Sequence, residues 1–178
     1  MPVGNTAGDF PIQSQVNGST PTNTGEVVSV EEMPPDPEII ITEINWAGSS
    51  ASTKDQWVEF RNTGTTPTDL TQVIIVGIGT DAAPAIRINS DTSFSTGTYQ
   101  NGVFTAINNS AGTCLTTTIP ASGYFLISAY NKNNAKTTLN IQPDCYFTNE
   151  NLIDINKNGE TLTIYKNTTT NILDQVGF

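Results

Sequence analysis

From Met1 to about Pro37 the chain shows no sustained apolar period, whereas from Ile39 onward short apolar segments recur between polar turns. This spacing predicts strands. In Ile40-Thr42-Ile44-Trp46 alternate residues share one face, because successive strand side chains point to opposite sides, and the Gly- and Ser-rich stretch Ala47 to Lys54 ends the segment. Gln56 to Arg61 predicts a half-buried strand with Val58 and Phe60 inward and Trp57, Glu59 and Arg61 outward. After the turn Asn62-Thr63-Gly64, Val73 to Ile78 is apolar on both faces, the pattern of a central strand covered from both sides. Ala85 to Ile88 is shorter, as is Val103 to Ile107 behind an Asn101-Gly102 hairpin turn; the pairing between residues 80 and 118 is left open. Gly123 to Ser128, Thr161 to Tyr165 behind the turn Asn156 to Gly159, and Ile172 to Val176 complete the set. Short strands at near-regular intervals without a helical period predict an all-β, two-sheet β-sandwich.

Residues 1–37 are dense in Gly, Pro, Thr, Asn and Ser and predict a disordered N-terminal tether to a domain over 38–178. Within the tether, Gly25 to Val30 is a short strand candidate that could add to a sheet edge, and Met33-Pro34-Pro35-Asp36-Pro37 forces an extended path after it. The 178 residues suit one core plus a tail. A net charge of −10, from 17 acidic and 7 basic residues, repels phosphate backbones and argues against a nucleic-acid partner. The longest apolar run, Val73 to Ile78, is strand length, which argues against membrane insertion. Met1 to Asn5 has neither the basic start nor the apolar centre of a secretory signal, so the sequence reads either as an expression start or as an excised piece of a longer chain, whose targeting segment would then not be shown.

Five pieces then fall in a familiar order: Ile41-Thr42-Glu43-Ile44-Asn45-Trp46, Asp55 to Asn62, Asp69-Leu70, Pro120 to Ser128, and Asn158-Gly159-Glu160 with Leu162. Together, from Ile39 to Val176, they resemble the lamin-tail domain family in its bacterial secreted and surface form. The resemblance implies an immunoglobulin-like sandwich without catalytic machinery, placed beside neighbouring domains of a longer secreted chain or repeated on a surface protein; it names no ligand, and a protein or cell-envelope partner of unknown identity is expected. Two departures matter. Asn89 to Thr118 is longer and more polar than such a domain needs, which predicts loops peculiar to this chain, and the acidic balance removes the basic surface through which nuclear lamin tails are associated with DNA.

Chemical candidates are few, because the chain has no His and only two Cys. The remaining acid–base groups are the carboxylates Glu43, Asp55, Glu59, Asp69 and Asp174, and paired carboxylates can hydrolyse glycosides. Mid-strand and strand-end positions favour structural roles instead, such as accepting hydrogen bonds from turn amides. Asp154, Asn156 and Asn158, with Gly159, fit the first half of a calcium loop, in which alternate oxygens face one cation. Tyr165 stands where that loop needs a bidentate Glu, so a hairpin turn is the favoured reading, calcium is the only cofactor considered, and none is required. Trp46, Trp57, Tyr99, Tyr124, Tyr130 and Tyr146 could stack on sugars but fit core or cross-strand packing better; Trp57 is the candidate for an edge or interface, with rim packing favoured. Asn108-Asn109-Ser110 and Asn167-Thr168-Thr169 match glycosylation triplets that arise freely in Asn- and Thr-rich chains. Cys114 and Cys145, each in an irregular stretch flanking the Pro120 to Ser128 strand, predict one disulfide fastening two loops, the alternative being two buried thiols.

The leading expectation is a non-catalytic interaction, spacer or anchoring module of an extracellular or cell-surface protein. The runner-up is a carbohydrate-binding module, calcium-dependent or not, and the third is a carboxylate-based glycoside hydrolase. Limited proteolysis should trim residues 1–37 and leave a resistant core beginning near Glu38. Deleting the tail should leave the melting temperature unchanged; a fall of more than about 4 °C, on the order of 1 kcal/mol, would mean that Val27 to Val30 is docked on the sheet.

Overall fold

The structure is a computed structural model that describes residues 38–80, 84–155, 161–166 and 171–178. The expected tether and the second glycosylation triplet's acceptor Asn167 lie outside the described residues, as does the turn at 156–160. The described chain is all-β. Its strands are β1 (Ile39–Asn45), β2 (Trp57–Asn62), β3 (Thr68–Asp69), β4 (Val73–Val76), β5 (Pro84–Ile88), β6 (Ser93–Gln100), β7 (Val103–Cys114), β8 (Thr118–Ile119), β9 (Tyr124–Ser128), β10 (Cys145–Phe147), β11 (Thr161–Lys166) and β12 (Ile172–Gly177). Single 3₁₀ turns occupy Leu70–Gln72 and Glu150–Leu152.

Ten strands form one continuous sheet in the order β1-β2-β9-β10-β7-β6-β5-β4-β11-β12, and β3 pairs with β8 separately. Every ladder is antiparallel except β9–β10. The sheet folds on itself until its two edges, β1 and β12, lie against one another. They are joined there by a side chain: the Ile41 N–H donates to Asp174 Oδ2 at 2.7 Å, in place of a ladder bond. The facing halves expected of a sandwich are thus halves of a single, nearly closed sheet.

The inner face carries the core, including Phe60, Phe94, Phe125, Ile86, Ile127 and Leu162. Val58 and Phe60 point into it as their alternation required, with relative exposures of 0% and 1%. The Val73 to Ile78 run is covered on both sides: Val73 and Ile75 join the main core, while Ile74 is sealed on the outer face by a smaller cluster with Ala85, Tyr99, Phe104 and Tyr165. There the Tyr99 and Tyr165 rings lie 4.9 Å apart and the Arg87 guanidinium sits 4.8 Å from the Phe104 ring centre. Strand β2 is bracketed by two buried amides. Gln56 Nε2 donates to the Trp46 carbonyl (2.8 Å) and its Oε1 accepts from the Ile155 N–H (3.0 Å); at the other end Asn62 Nδ2 donates to Thr66 O (2.7 Å) and its Oδ1 accepts from the Gly64 N–H (2.8 Å).

Three expectations change. The residues Ile40, Thr42, Ile44 and Trp46 do not share one face. The register slips between Ile41 and Glu43, so Ile39 and Ile41 face the core before the bulge at Thr42 and Ile44 faces it afterwards. The stretch Asn89 to Thr118 is not chiefly loop: Ser93 to Cys114 forms the β6/β7 hairpin, whose turn residues Asn101 (φ 52°) and Gly102 (φ 80°) have the left-handed geometry of a type I′ turn. Its polar Thr and Ser were read as loop residues, yet they suit a pleated surface. Lastly, Cys114 and Cys145 lie on strands, not loops.

Cys114 and Cys145 are directly paired across β7 and β10, with Cα atoms 4.0 Å apart, and form a disulfide. The Leu115 N–H donates to the Asp144 carbonyl beside them (2.7 Å), which makes theirs a non-hydrogen-bonded pair, where side chains approach most closely. Both cysteines are buried in the core, close to Phe147, which meets Phe94 edge-on at 4.8 Å. Gly112 leaves the space that the Phe94 ring fills, since an added Cβ would overlap that ring. Replacing both cysteines by Ala should lower the unfolding free energy by roughly 3 to 4 kcal/mol in the loop-entropy account. Urea unfolding with and without reductant measures the loss, and an alkylated, non-reduced sample should carry no alkyl group in intact mass.

Candidate functional site

The elements that follow β9 enclose a polar recess. After Ser128 the chain leaves the sheet and runs through Asn131 to Asp144 before returning as β10. This excursion is built from Asx turns: Asn131 Oδ1 accepts from the Asn133 N–H (3.0 Å), and Asn134 Oδ1 accepts from the Lys136 N–H (2.9 Å). Asp55, fully buried two residues before β2, pins it, its Oδ2 accepting from the Thr138 N–H at 2.8 Å. The other oxygen, Asp55 Oδ1, is buried without a hydrogen-bond partner. A cleft of about 280 Å³ opens between this loop, β10 and the 3₁₀ turn, lined by Tyr130, Asn131, Asn134, Tyr146, Thr148 and Glu150.

One hydrogen-bonded chain crosses the cleft wall. Lys136 Nζ donates to both Glu150 oxygens (2.7 and 2.8 Å), the Tyr130 hydroxyl donates to Glu150 Oε2 (2.9 Å), and Ser52 Oγ lies 3.3 Å from that phenol oxygen. The charges hold one another in place. The Lys136 bond, helped by Tyr130, keeps the Glu150 carboxyl below the usual glutamate range, and the same bond raises Lys136 above the usual lysine value. Burial raises the Tyr130 phenol, the Ser52 contact partly offsetting it. At neutral pH the recess therefore presents an ammonium, a carboxylate and a neutral phenol, none titrating near the working pH that general acid–base catalysis favours. Nearby, burial raises Asp144, which the Leu126 N–H stabilises from 2.8 Å.

The sequence-derived candidates are distributed over the molecule. Glu43 and Glu59 are register partners on the outer face of β1 and β2, where Glu59 Oε1 accepts from the Thr42 hydroxyl at 2.7 Å. Asp69 caps the first 3₁₀ turn by accepting from the Thr71 N–H (2.9 Å), and Asp174 joins the sheet edges. Asp154 lies 3.9 Å from Lys54 Nζ, while Asn156 and Asn158 are outside the described residues, as is the rest of that candidate calcium loop to Glu160. Among the described residues no three His, Cys, Asp or Glu side chains group as metal ligands. Trp57 is half-buried in β2, which has a neighbouring strand on each side, so it is not an edge residue. Trp46 is 39% exposed, Tyr124 stands under the Arg61 guanidinium at 5.5 Å, and Tyr99 belongs to the outer cluster. Of the six aromatics only Tyr130 and Tyr146 meet at the cleft. Lys136, Glu150, Asn131 and Asn134 were not singled out from the sequence; the Asn-Lys-Asn-Asn run at 131–134 is the turn signal that could have marked them.

No family model matches the chain, and no curated protein matches it in sequence. No helix among the described residues is long and apolar enough to cross a membrane.

Asp144 and Glu150 should shape the pH dependence of stability with opposite signs. With the folded Asp144 pKa above its ordinary value, the folded state holds that proton more tightly, so stability falls as pH rises between the ordinary and folded values. Asp144→Asn keeps an acceptor for Leu126 and removes that fall, so it should gain on the wild type above the interval and gain nothing below it. Glu150 contributes above the ordinary glutamate range and loses its contribution as pH falls through its lowered value, so Glu150→Gln should be less stable at neutral pH and converge with the wild type in acid. Thermal unfolding from roughly pH 2 to 7 reads both differences.

Proposed function

We propose that the chain is a non-catalytic interaction or anchoring module of a secreted or cell-surface protein, of the lamin-tail type. The observation that carries this reading is the disulfide in the core between strands β7 and β10, since structural disulfides persist in oxidising compartments. The electrostatics of the recess support it, because Lys136, Glu150 and Tyr130 hold each other in fixed ionisation states that suit binding more than proton transfer. The lamin-tail assignment rests on the five ordered pieces between Ile41 and Leu162, with the β6/β7 hairpin as an addition to the compact form that family implies. Neighbouring domains of a longer chain would set which partner it serves.

The cleft favours one second reading, a carbohydrate-binding module. Tyr146 offers a ring, and Asn131 and Asn134 commit their carbonyl oxygens to the loop, leaving amide donors at the cleft for a hydroxyl-rich ligand. A glycan array run with and without EDTA, beside a panel of glycoside, ester and phosphate substrates, separates the readings. The interaction-module reading expects no turnover and no EDTA-sensitive glycan signal. Glycan retention lost on Tyr146→Ala would select the second reading, and turnover lost on Glu59→Gln or Asp55→Asn would overturn the non-catalytic one.

A further inference from the structure

We propose that the edge of β7 left unpaired among the described residues is a self-association surface, on which a second copy of the chain pairs antiparallel about a two-fold axis at Thr105. Strand β7 runs from Val103 to Cys114, and β6 lies along one of its edges. On the other edge β10 covers only Gly112 to Cys114, and Thr148 adds hydrogen bonds to the Ser110 and Ala111 carbonyls. From Val103 to Asn109 no described residue pairs with that edge. Beyond Ala106 the register with β6 slips, which leaves Val103 to Ile107 as the segment available for regular pairing.

Its backbone dictates a register. Gln100 and Val103 close a two-residue turn, so Val103 and Thr105 direct their N–H and C=O groups to β6, while Phe104 and Ala106 direct theirs to the free edge. In a two-fold pair centred on Thr105, Phe104 of each copy exchanges both backbone bonds with Ala106 of the other. Thr105 then faces Thr105, and Val103 faces Ile107 twice, all at non-hydrogen-bonded positions where side chains approach most closely. Val103 and Ile107 are each 61% exposed in the single chain, and Thr105 is exposed between them.

Charge selects the occupant. The chain carries a net charge of −10, yet no Asp, Glu, Lys or Arg occurs between Asp91 and Lys132. Edge strands are ordinarily guarded by charged residues, Lys above all, or by Pro; this one has neither. A foreign partner of an acidic protein gains from a charged contact, and this edge supplies none. A second copy meets here without bringing like charges together, and the same edge matches its own backbone groups and aliphatic side chains.

Sedimentation of the full chain from about 10 μM to 1 mM should show a reversible dimer. The double substitution Val103→Lys and Ile107→Lys should weaken it by at least roughly tenfold with an unchanged melting temperature. As a test independent of that variant's folding, Thr105→Cys should cross-link spontaneously to its counterpart far faster than Lys132→Cys, an exposed control. A chain that stays monomeric throughout, a dimer indifferent to the lysines, or Thr105→Cys cross-linking no faster than the control would overturn the proposal.

Discussion

The ten-stranded sheet depends on its shortest strand, β10. Its three residues are all that join β9 to β7, with a parallel ladder on one side and an antiparallel ladder on the other. So short a strand supplies few backbone bonds. What secures it is the Cys114–Cys145 bond inside the core, the packing of Phe147 on Phe94, and Asp144, whose carbonyl and carboxylate take the Leu115 and Leu126 N–H groups. Across this junction the half-sheet β1-β2-β9 and the half-sheet β7-β6-β5-β4-β11-β12 share one core.

The same junction positions the recess. The excursion between β9 and β10 must leave the sheet and return beside it, and its own Asx turns together with Asp55 give it a defined path. The buried Asp55 holds the excursion through Thr138, and the neighbouring Gln56 ties the Trp46 carbonyl to the Ile155 N–H. With Lys136 and Glu150 bonded to each other, the cleft offers amides, hydroxyls and an aromatic ring more than a net charge.

The outer face repeats the logic on a smaller scale. Ile74 lies on the side of β4 away from the main core, and Tyr99, Phe104 and Tyr165 bury it. That cluster commits one face of the β6/β7 hairpin near its tip and leaves Val103 and Ile107, on the other face there, exposed.

Much of this architecture was legible in the chain. The alternation at Val58 and Phe60, the two-sided run from Val73, the Asn101-Gly102 turn and the strands at Tyr124, Thr161 and Ile172 follow from local rules: period two, φ-permissive turn residues and β-branched side chains. The all-β class follows from the same rules. The bulge at Thr42 was not legible, because a one-residue slip is set by the register against β2 and not by the strand's own pattern. Strand β6 and the extension of β7 beyond Ile107 were not legible, since Thr and Ser serve turns and pleats alike and only pairing decides between them. The two cysteines by themselves indicated a bridge, but that it lies in a ladder between strands is a matter of topology. The cleft is tertiary in the same sense: Tyr130, Lys136, Tyr146 and Glu150 become neighbours only because the parallel β9–β10 pairing returns the chain to the place it left.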